Sequence, residues 1–185
     1  MKLESNLLIN IYSIVLLTIV YLHSLKQADK ETLQHKLYII MLQITILMLM
    51  VDIFSRFDGK PDTIYPVLNY FGNLLIFLIN PIMPSIWLLY VYCQVFHEDK
   101  INRLVLYLLY IINAVNVIMV VLSQFFGWLY YIDIDNIYHR GSLFFLSASI
   151  TTALVLVAFV LILVNPKKID KKYYFSLVFL RFLHL

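Results

Sequence analysis

The residues that could do chemistry in this chain are few, and the charged ones lie near the ends of long apolar runs. Asp52 and Arg56 are four residues apart, which places them on one face of a helix and within reach of each other. His139 and Arg140 follow a loop rich in aspartate and tyrosine. An ion pair at a helix end is the simpler interpretation of the first two residues. The alternative is that Asp52 belongs to an outward-facing ligand site, where His139 and Arg140 would meet an anionic group.

Asparagines form a second group, and their spacing is helical. Asn69 and Asn73 are four residues apart and Asn80 follows seven residues later, so all three share one helix face. Amides inside a bilayer usually bond to a neighbouring helix, and each bond contributes about 0.6 kcal/mol on average. Asn113 and Asn116 on the next apolar run are the expected partners. The candidate ligand pocket on the outer side comprises Asp52, Arg56, Tyr70, Asn73, His139 and Arg140.

Two prolines lie in the middle of the longest apolar run. A proline lacks an N–H and clashes with the carbonyl four residues earlier, so Pro81 and Pro84 should deprive Phe77 and Asn80 of their helical partners. Polar side chains close by, such as that of Asn80, could bond to the freed carbonyls. The pattern predicts a kink at Asn80, Pro81 and Pro84, which serves either as a hinge or as a packing device.

Patterns of catalysis and metal binding are absent from the sequence. The five histidines show no paired spacing on one helix, and the chain has no nucleophile elbow, phosphate-binding loop or C-x-x-C motif. Cys93 is the only cysteine, which excludes an internal disulfide and indicates an inert, buried thiol. We therefore expect no enzymatic activity and no cofactor.

The elements that must position these residues follow from the composition. Of the 185 residues, 62% are hydrophobic and 14% are charged. A soluble domain has about 25% charged residues, so this chain has too little polar surface to cover itself in water. A lipid bilayer is its expected partner. The net charge of +3 is scattered over short loops, which argues against a nucleic-acid partner.

Long apolar runs predict the fold. A helix needs about 20 mainly apolar residues to cross roughly 30 Å of hydrocarbon. The runs are continuous and lack the alternation of strands in a barrel. The predicted fold is therefore all-α, a single transmembrane domain over 1–185 with five full spans plus a partial sixth that is too short to cross. The spans are predicted at 7–22, 37–54, 67–96, 104–129 and 143–164, with the partial sixth at 173–185.

The loop between the fourth and fifth spans has a pattern of its own. Between Tyr131 and Asp135, polar residues alternate with isoleucines, which is typical of a strand, and Asn136 follows as part of a turn signal. The pattern predicts a short hairpin whose aromatic residues lie in an interfacial belt. The alternative is a lid over a pocket between the second, third and fifth spans.

Lysine and arginine counts predict the orientation. The loops after the first, third and fifth spans hold nine of these residues, and the opposite side holds four. Positively charged loops stay in the cytoplasm, so the N-terminus is predicted outside the cell membrane. Lys2 and the following apolar run look like a secretory signal. However, Glu4 interrupts the basic region and residues 21–24 offer no small-residue cleavage site, so a retained first helix is expected.

The order of these features extends over nearly the whole chain. Its elements are Asp52 at the end of the second span, Asn69 to Asn73 at the start of the third, and the loop from Tyr131 to Gly141 before the fifth. Between them, Asn80-Pro81 is followed by Trp87, Tyr90 and Val91. In this order the chain resembles the N-terminal membrane module of multi-pass bacterial sensors, especially those that precede GGDEF diguanylate cyclase domains.

The resemblance implies that the helices sense a cue and that a cytoplasmic output domain makes cyclic di-GMP. The sequence departs from the family at its end, where it has no GGDEF or GGEEF residues and the sixth span is incomplete. A chain cut short of its full-length protein is therefore expected, and a homodimer is left open. The working hypothesis is a catalytically inactive input module. A small transport component and a structural partner of another membrane protein, bound through Ser149 and Ala153, are the alternatives.

Overall fold

The computed structural model describes residues 2–26, 32–60, 62–97 and 101–168. The predicted partial span at 173–185 lies outside these described residues. The elements in the described ranges are α1 (Lys2–Ser24), α2 (Leu33–Ser55), α3 (Tyr65–Ile79), α4 (Ile82–Phe96), α5 (Arg103–Phe126), β1 (Tyr130–Ile132), β2 (Tyr138–Arg140) and α6 (Phe144–Val164).

Helices long and apolar enough to cross a membrane dominate the described chain. Five such stretches are present there: α1 from Asn6, α2, α3 with α4, α5, and α6. Large apolar side chains such as Leu8, Tyr110 and Val160 point away from the bundle and are mostly exposed, as suits a surface that faces lipid. The predicted all-α bundle of a multi-pass membrane protein is confirmed.

The third predicted span is interrupted rather than continuous. α3 ends at Ile79 and α4 begins at Ile82, so Asn80 and Pro81 separate two helices. Pro81 has no N–H to donate to the preceding turn, which is why the helix breaks at this point. The helix is interrupted where the sequence predicts a kink; a change of helix direction and a role as a hinge stay predictions.

The fourth predicted span is shorter than expected. α5 ends at Phe126, three residues before the predicted bound, because Gly127 adopts a left-handed conformation with φ of 64°. Its N–H donates to the Ser123 carbonyl at 2.8 Å and closes the last turn. The chain then leaves the helix axis and enters the hairpin.

Two apolar cores lie on opposite sides of the Asn80–Pro81 break. The core beside the hairpin contains buried Phe77, Val120, Leu129 and Tyr130. α2 packs against α3 very closely, since a Cβ at Gly72 would lie 2.6 Å from Ser55 N. The core on the other side of the break joins α4, α5 and α6. Its buried residues are Leu88, Val91, Val95, Leu109, Leu154, Ala158 and Ile162.

The predicted hairpin is confirmed between α5 and α6. Its loop contains a residue with positive φ, Asn136 at 61°, a conformation that asparagine tolerates better than most residues. Asp133 Oδ1 accepts the N–H groups of Asp135 and Ile137 and so closes the turn. The strands are antiparallel, with Tyr130 opposite Arg140, Tyr131 opposite His139 and Ile132 opposite Tyr138.

Candidate functional site

The hairpin packs on the loop between α2 and α3. Asn136 at its turn is 1% exposed, and its Nδ2 donates to the carbonyls of Phe57 at 2.8 Å and Lys60 at 2.7 Å. The carbonyl of Asn136 accepts the N–H of Gly59 at 2.8 Å. One asparagine therefore joins two loops that are far apart in sequence. We name residues 56–60 and 130–140 together the outer cap, after the side of the membrane on which the sequence predicts them.

The first turns of α3 support the outer cap from within the bundle. Asn69 Nδ2 donates to Asn136 Oδ1 at 2.9 Å, and Asn73 Nδ2 donates to Asn69 Oδ1 at 2.7 Å. The sequence predicted bonds from these amides to a neighbouring helix. Instead, Asn69 bonds to the hairpin turn and Asn73 bonds within α3, because the hairpin covers this face of α3.

At the end of α2, a carboxylate joins two helices. Asp52 Oδ2 accepts from Arg56 Nη2 at 2.7 Å and Nε at 3.0 Å, so the predicted ion pair is confirmed. The same oxygen accepts from Asn10 Nδ2 on α1 at 2.7 Å. Asn10 is 7% exposed and was missed by the sequence analysis; its signal was a lone amide within the first apolar run.

On the hairpin, His139 lies beside an aspartate. Its Nε2 is 2.7 Å from Asp133 Oδ2, and its ring stacks on that of Tyr131 with centroids 4.9 Å apart. The hydrogen bond with His139, helped by backbone bonds from Ile137 and Asp135, holds the pKa of Asp133 below its ordinary value of 3.8. Asp133 is therefore ionised at neutral pH and acts as an acceptor in the outer cap.

The other residues predicted for the ligand pocket do not meet at this pair. The guanidinium Cζ of Arg140 lies 4.7 Å from the ring centroid of Phe144, and Tyr70 is 40% exposed. Within the described ranges, no hydrogen bond or ion pair joins the ion pair at the end of α2 to the hairpin. A ligand pocket that uses all six residues stays a prediction.

At the Asn80–Pro81 break, side chains of α5 and α6 bond to the interrupted span. The carbonyl of Phe77, which Pro81 leaves without a helical donor, accepts from Asn116 Nδ2 on α5 at 2.9 Å. Asn80 Nδ2 donates to Thr151 Oγ1 on α6 at 3.2 Å. The prediction that Asn116 partners the third span is confirmed. The donor to the freed carbonyl is Asn116 rather than Asn80.

The first turn of α4 has its own polar contacts. Ser85 Oγ donates to the Pro81 carbonyl at 2.7 Å and accepts from Asn113 Nδ2 at 2.9 Å. Asn113 Nδ2 also donates to the Leu109 carbonyl at 2.8 Å. The predicted meeting of Asn113 with the third span is thus confirmed. We name Asn80, Ser85, Asn113, Asn116, Ser147 and Thr151 the break cluster.

Phe77 contacts both regions. Its ring stacks on Tyr130 of β1, with centroids 4.8 Å apart and planes 12° apart, while its carbonyl is held by Asn116. Tyr130 is 3% exposed, and burial raises its pKa to about 12. A displacement of the hairpin therefore acts on the ring of the residue whose carbonyl α5 holds.

Two residues that seat the hairpin were missed by the sequence analysis. Ser123 Oγ accepts a hydrogen bond from the N–H of Leu129 at 2.8 Å, so this backbone donor has a partner where the chain leaves α5. Gly141 follows β2, and a Cβ there would overlap the carbonyl oxygens of Gly127 and Trp128. A glycine directly after a predicted strand was the available signal for this close approach.

The outer cap and the break cluster remain the two regions from which function is inferred. Among the described residues, no group of three or more His, Cys, Asp or Glu side chains is placed to hold a metal ion. No family model, curated protein or solved structure matches this chain.

Proposed function

We propose that this chain is the membrane-embedded input module of a bacterial signalling protein and has no catalytic activity of its own. The observation that supports this most is the double role of Phe77. Its ring stacks on that of Tyr130 in the outer cap. Its carbonyl, which Pro81 leaves without a helical donor, accepts a hydrogen bond from Asn116. An outer element is thereby joined to a break within a span. An input module needs such a connection to pass a cue across a membrane.

A cue biases a module of this kind only if it has different affinity for two packings. In the observed packing, Asn116 holds the Phe77 carbonyl and Asn80 holds Thr151. In the second packing these bonds are released and α4 changes its angle to α3, with Pro81 at the bistable point. Because hydrogen bonds between membrane helices average about 0.6 kcal/mol each, a ligand or a membrane property can supply the difference.

The outer cap faces the outside of the cell in this proposal, and the end of α6 lies in the cytoplasm. Lys167 and Lys168 directly follow α6, and lysines beside a span favour the cytoplasmic side. The outer end carries the acidic hairpin with Asp133 and Asp135. The resemblance to the membrane modules of GGDEF-type proteins supports cyclic di-GMP as the product of an output domain on the cytoplasmic side.

The test is a fusion of the full chain, behind Leu185, to a diguanylate cyclase domain that depends on cytoplasmic GTP. We expect cyclic di-GMP in cells that produce this fusion. Pro81→Ala combined with Pro84→Ala should change its level severalfold, because a proline within a helix costs about 3 kcal/mol and its loss favours a continuous α3–α4 helix. Leu156→Ala, at an exposed apolar position on α6, is the matched control.

Two outcomes of the fusion experiment would contradict the proposal. Equal product from the parent and the double alanine variant, at equal amounts in the membrane, would remove the break from the signalling path. A fusion that reaches the membrane and yields no product would contradict the orientation.

A small transport component is the second candidate, and one observation favours it. The interrupted span is surrounded by polar side chains of α5 and α6, and discontinuous helices line the substrate sites of many transporters. Solute uptake by vesicles that contain only the purified chain would support transport over signalling.

A further inference from the structure

Two buried polar atoms of the break cluster have no hydrogen-bond partner within the described part of the chain. They are Asn113 Oδ1 and Ser147 Oγ. A buried polar atom left unpaired is costly, and native proteins pair nearly all such atoms with protein or with bound molecules. In hydrocarbon no bulk water is at hand to satisfy them. Each of these atoms therefore points to something that it binds.

The chemistry of the first atom is fixed by its neighbours. Asn113 Nδ2 donates to the carbonyl of Leu109, an atom that can only accept, so the nitrogen and the oxygen of this amide cannot be exchanged. The same nitrogen donates to Ser85 Oγ. The free atom is Oδ1, which accepts hydrogen bonds only. Its ligand must therefore be a donor.

Ser147 differs from the threonines of the spans. The hydroxyls of Thr18, Thr45 and Thr151 each donate to the carbonyl four residues earlier. The hydroxyl of Ser147 makes no such bond although the residue is 4% exposed. It is enclosed by the bundle, whereas Ser149 on the same helix is exposed. A hydroxyl can donate or accept, so this end of the cluster takes either kind of partner.

The residues of these two atoms adjoin the break at different points. On α6, the backbone carbonyl of Ser147 accepts from Thr151 Oγ1, which in turn accepts from Asn80 Nδ2. Beyond Pro81, Asn113 Nδ2 donates to Ser85 Oγ. We propose that the break cluster binds small uncharged molecules at two points, one that donates to Asn113 Oδ1 and one that pairs with Ser147 Oγ. Water is the smallest member of this class and short alcohols are the next.

The cluster itself argues for an uncharged ligand. All six of its members are serine, threonine or asparagine, so it offers no counter-charge to an ion at membrane depth. Two free oxygen atoms are also far fewer than the ligands that a metal cation collects. A neutral molecule that has both a donor and an acceptor can pair with either free atom.

The direct test is solid-state NMR on the full chain in lipid bilayers. Magnetisation transfer from water is measured at the side-chain carbon of Ser147, and Ser149 on the same helix is the matched control. If water is the ligand, transfer at Ser147 should exceed that at Ser149 severalfold. If an alcohol is the ligand, ¹³C-labelled ethanol used as the probe should contact Ser147 without the transfer from water. Absence of both transfers overturns the proposal.

Thermal unfolding of Ser147→Ala gives an independent readout. If the hydroxyl holds a ligand, its removal should lower Tm by a few degrees, while Ser149→Ala leaves Tm unchanged. If the hydroxyl is merely unpaired, its removal relieves a cost and Tm rises, which contradicts the proposal. The proposed input function is tested separately, since it depends on Phe77, Pro81 and Asn116 and would survive a failure here.

Discussion

The outer cap and the break cluster both support irregular backbone with asparagine side chains, but they do so to different degrees. In the outer cap, Asn136 bonds to two carbonyls and one N–H of the α2–α3 loop and also to Asn69. In the break cluster, Asn116 and Asn80 each make one bond to a neighbouring helix. Displacing Asn136 breaks several bonds at once, whereas the bonds between helices at the break come from separate side chains, those of Asn80, Asn113 and Asn116, and can be released one at a time.

This difference indicates where a displacement would be absorbed. The outer cap is tied together by many bonds and therefore moves as one body. Its contact with the bundle through Tyr130 and Phe77 would pass the movement to the break, where no single side chain makes as many bonds as Asn136. In the proposed input module, the outer cap would stay intact while the interior of the bundle changes state. Substitutions confined to one region separate the outer cap from the break.

The largest effect is expected from Gly141→Ala, at the position where the end of the hairpin packs against the backbone of Gly127 and Trp128. A Cβ at this position would overlap the carbonyl oxygens of Gly127 and Trp128, and backbone atoms cannot turn away as a side chain does. We expect the free energy of unfolding to fall by about 3 kcal/mol or more. The measurement is unfolding of the protein in mixed micelles by titration with a denaturing detergent.

Gly59→Ala is the control for this first prediction. Gly59 has φ of 70°, but a Cβ there meets nothing within 4 Å. The change therefore adds backbone strain without overlap and should cost about 1–2 kcal/mol. Equal losses for the two variants would show that close packing at Gly141 does not hold the cap in place.

The positions of the spans and of the break could be predicted from the sequence because their causes are local. Hydrocarbon thickness sets the length of an apolar helix, and Pro81 removes a hydrogen bond wherever it stands. The ion pair of Asp52 and Arg56 likewise follows from a spacing of four residues. The hairpin followed from alternation and a turn signal.

The partners of the polar residues could not be predicted, because they depend on contacts between distant parts of the chain. Asn136 was recognised as a turn residue, yet its side chain bonds to Phe57, 79 residues away. Asn10 reaches Asp52 across 42 residues. The free hydroxyl of Ser147 depends on how α6 packs, and no sequence pattern distinguishes it from the bonded hydroxyl of Thr151.

The second prediction uses alkaline pH to loosen the outer cap and spare the break. Burial raises the pKa of Tyr130 from 10.0 to about 12, so the folded protein favours the neutral phenol. The contribution of the buried, neutral Tyr130 phenol to the free energy of unfolding is complete below pH 10. It is lost as the pH rises from 10 to 12. A shift of two pKa units corresponds to at most about 3 kcal/mol.

Tyr130→Phe isolates this effect from the lysines and other tyrosines that titrate in the same range. The variant keeps the ring on Phe77 and cannot ionise, so its free energy of unfolding should fall less between pH 10 and pH 12 than that of the parent. The difference between the two proteins at each pH is the quantity to measure. Parallel profiles would mean that Tyr130 ionises freely and that the cap does not enclose it.

The smallest effect on stability is expected from Asn116→Leu, which acts on the break alone. Leucine has a similar volume but no donor, so the Phe77 carbonyl loses its bond at a cost of about 1 kcal/mol. The effect on local opening of the first turn of α4 should be easier to detect than the effect on global stability. Amide hydrogen exchange at Ile82, Met83 and Ser85 should rise severalfold, while exchange in the outer cap stays unchanged. Val115→Leu, at an exposed position on α5, is the control. If exchange in the outer cap rises equally, the two regions open together. That result would contradict a cap that stays intact while the break changes.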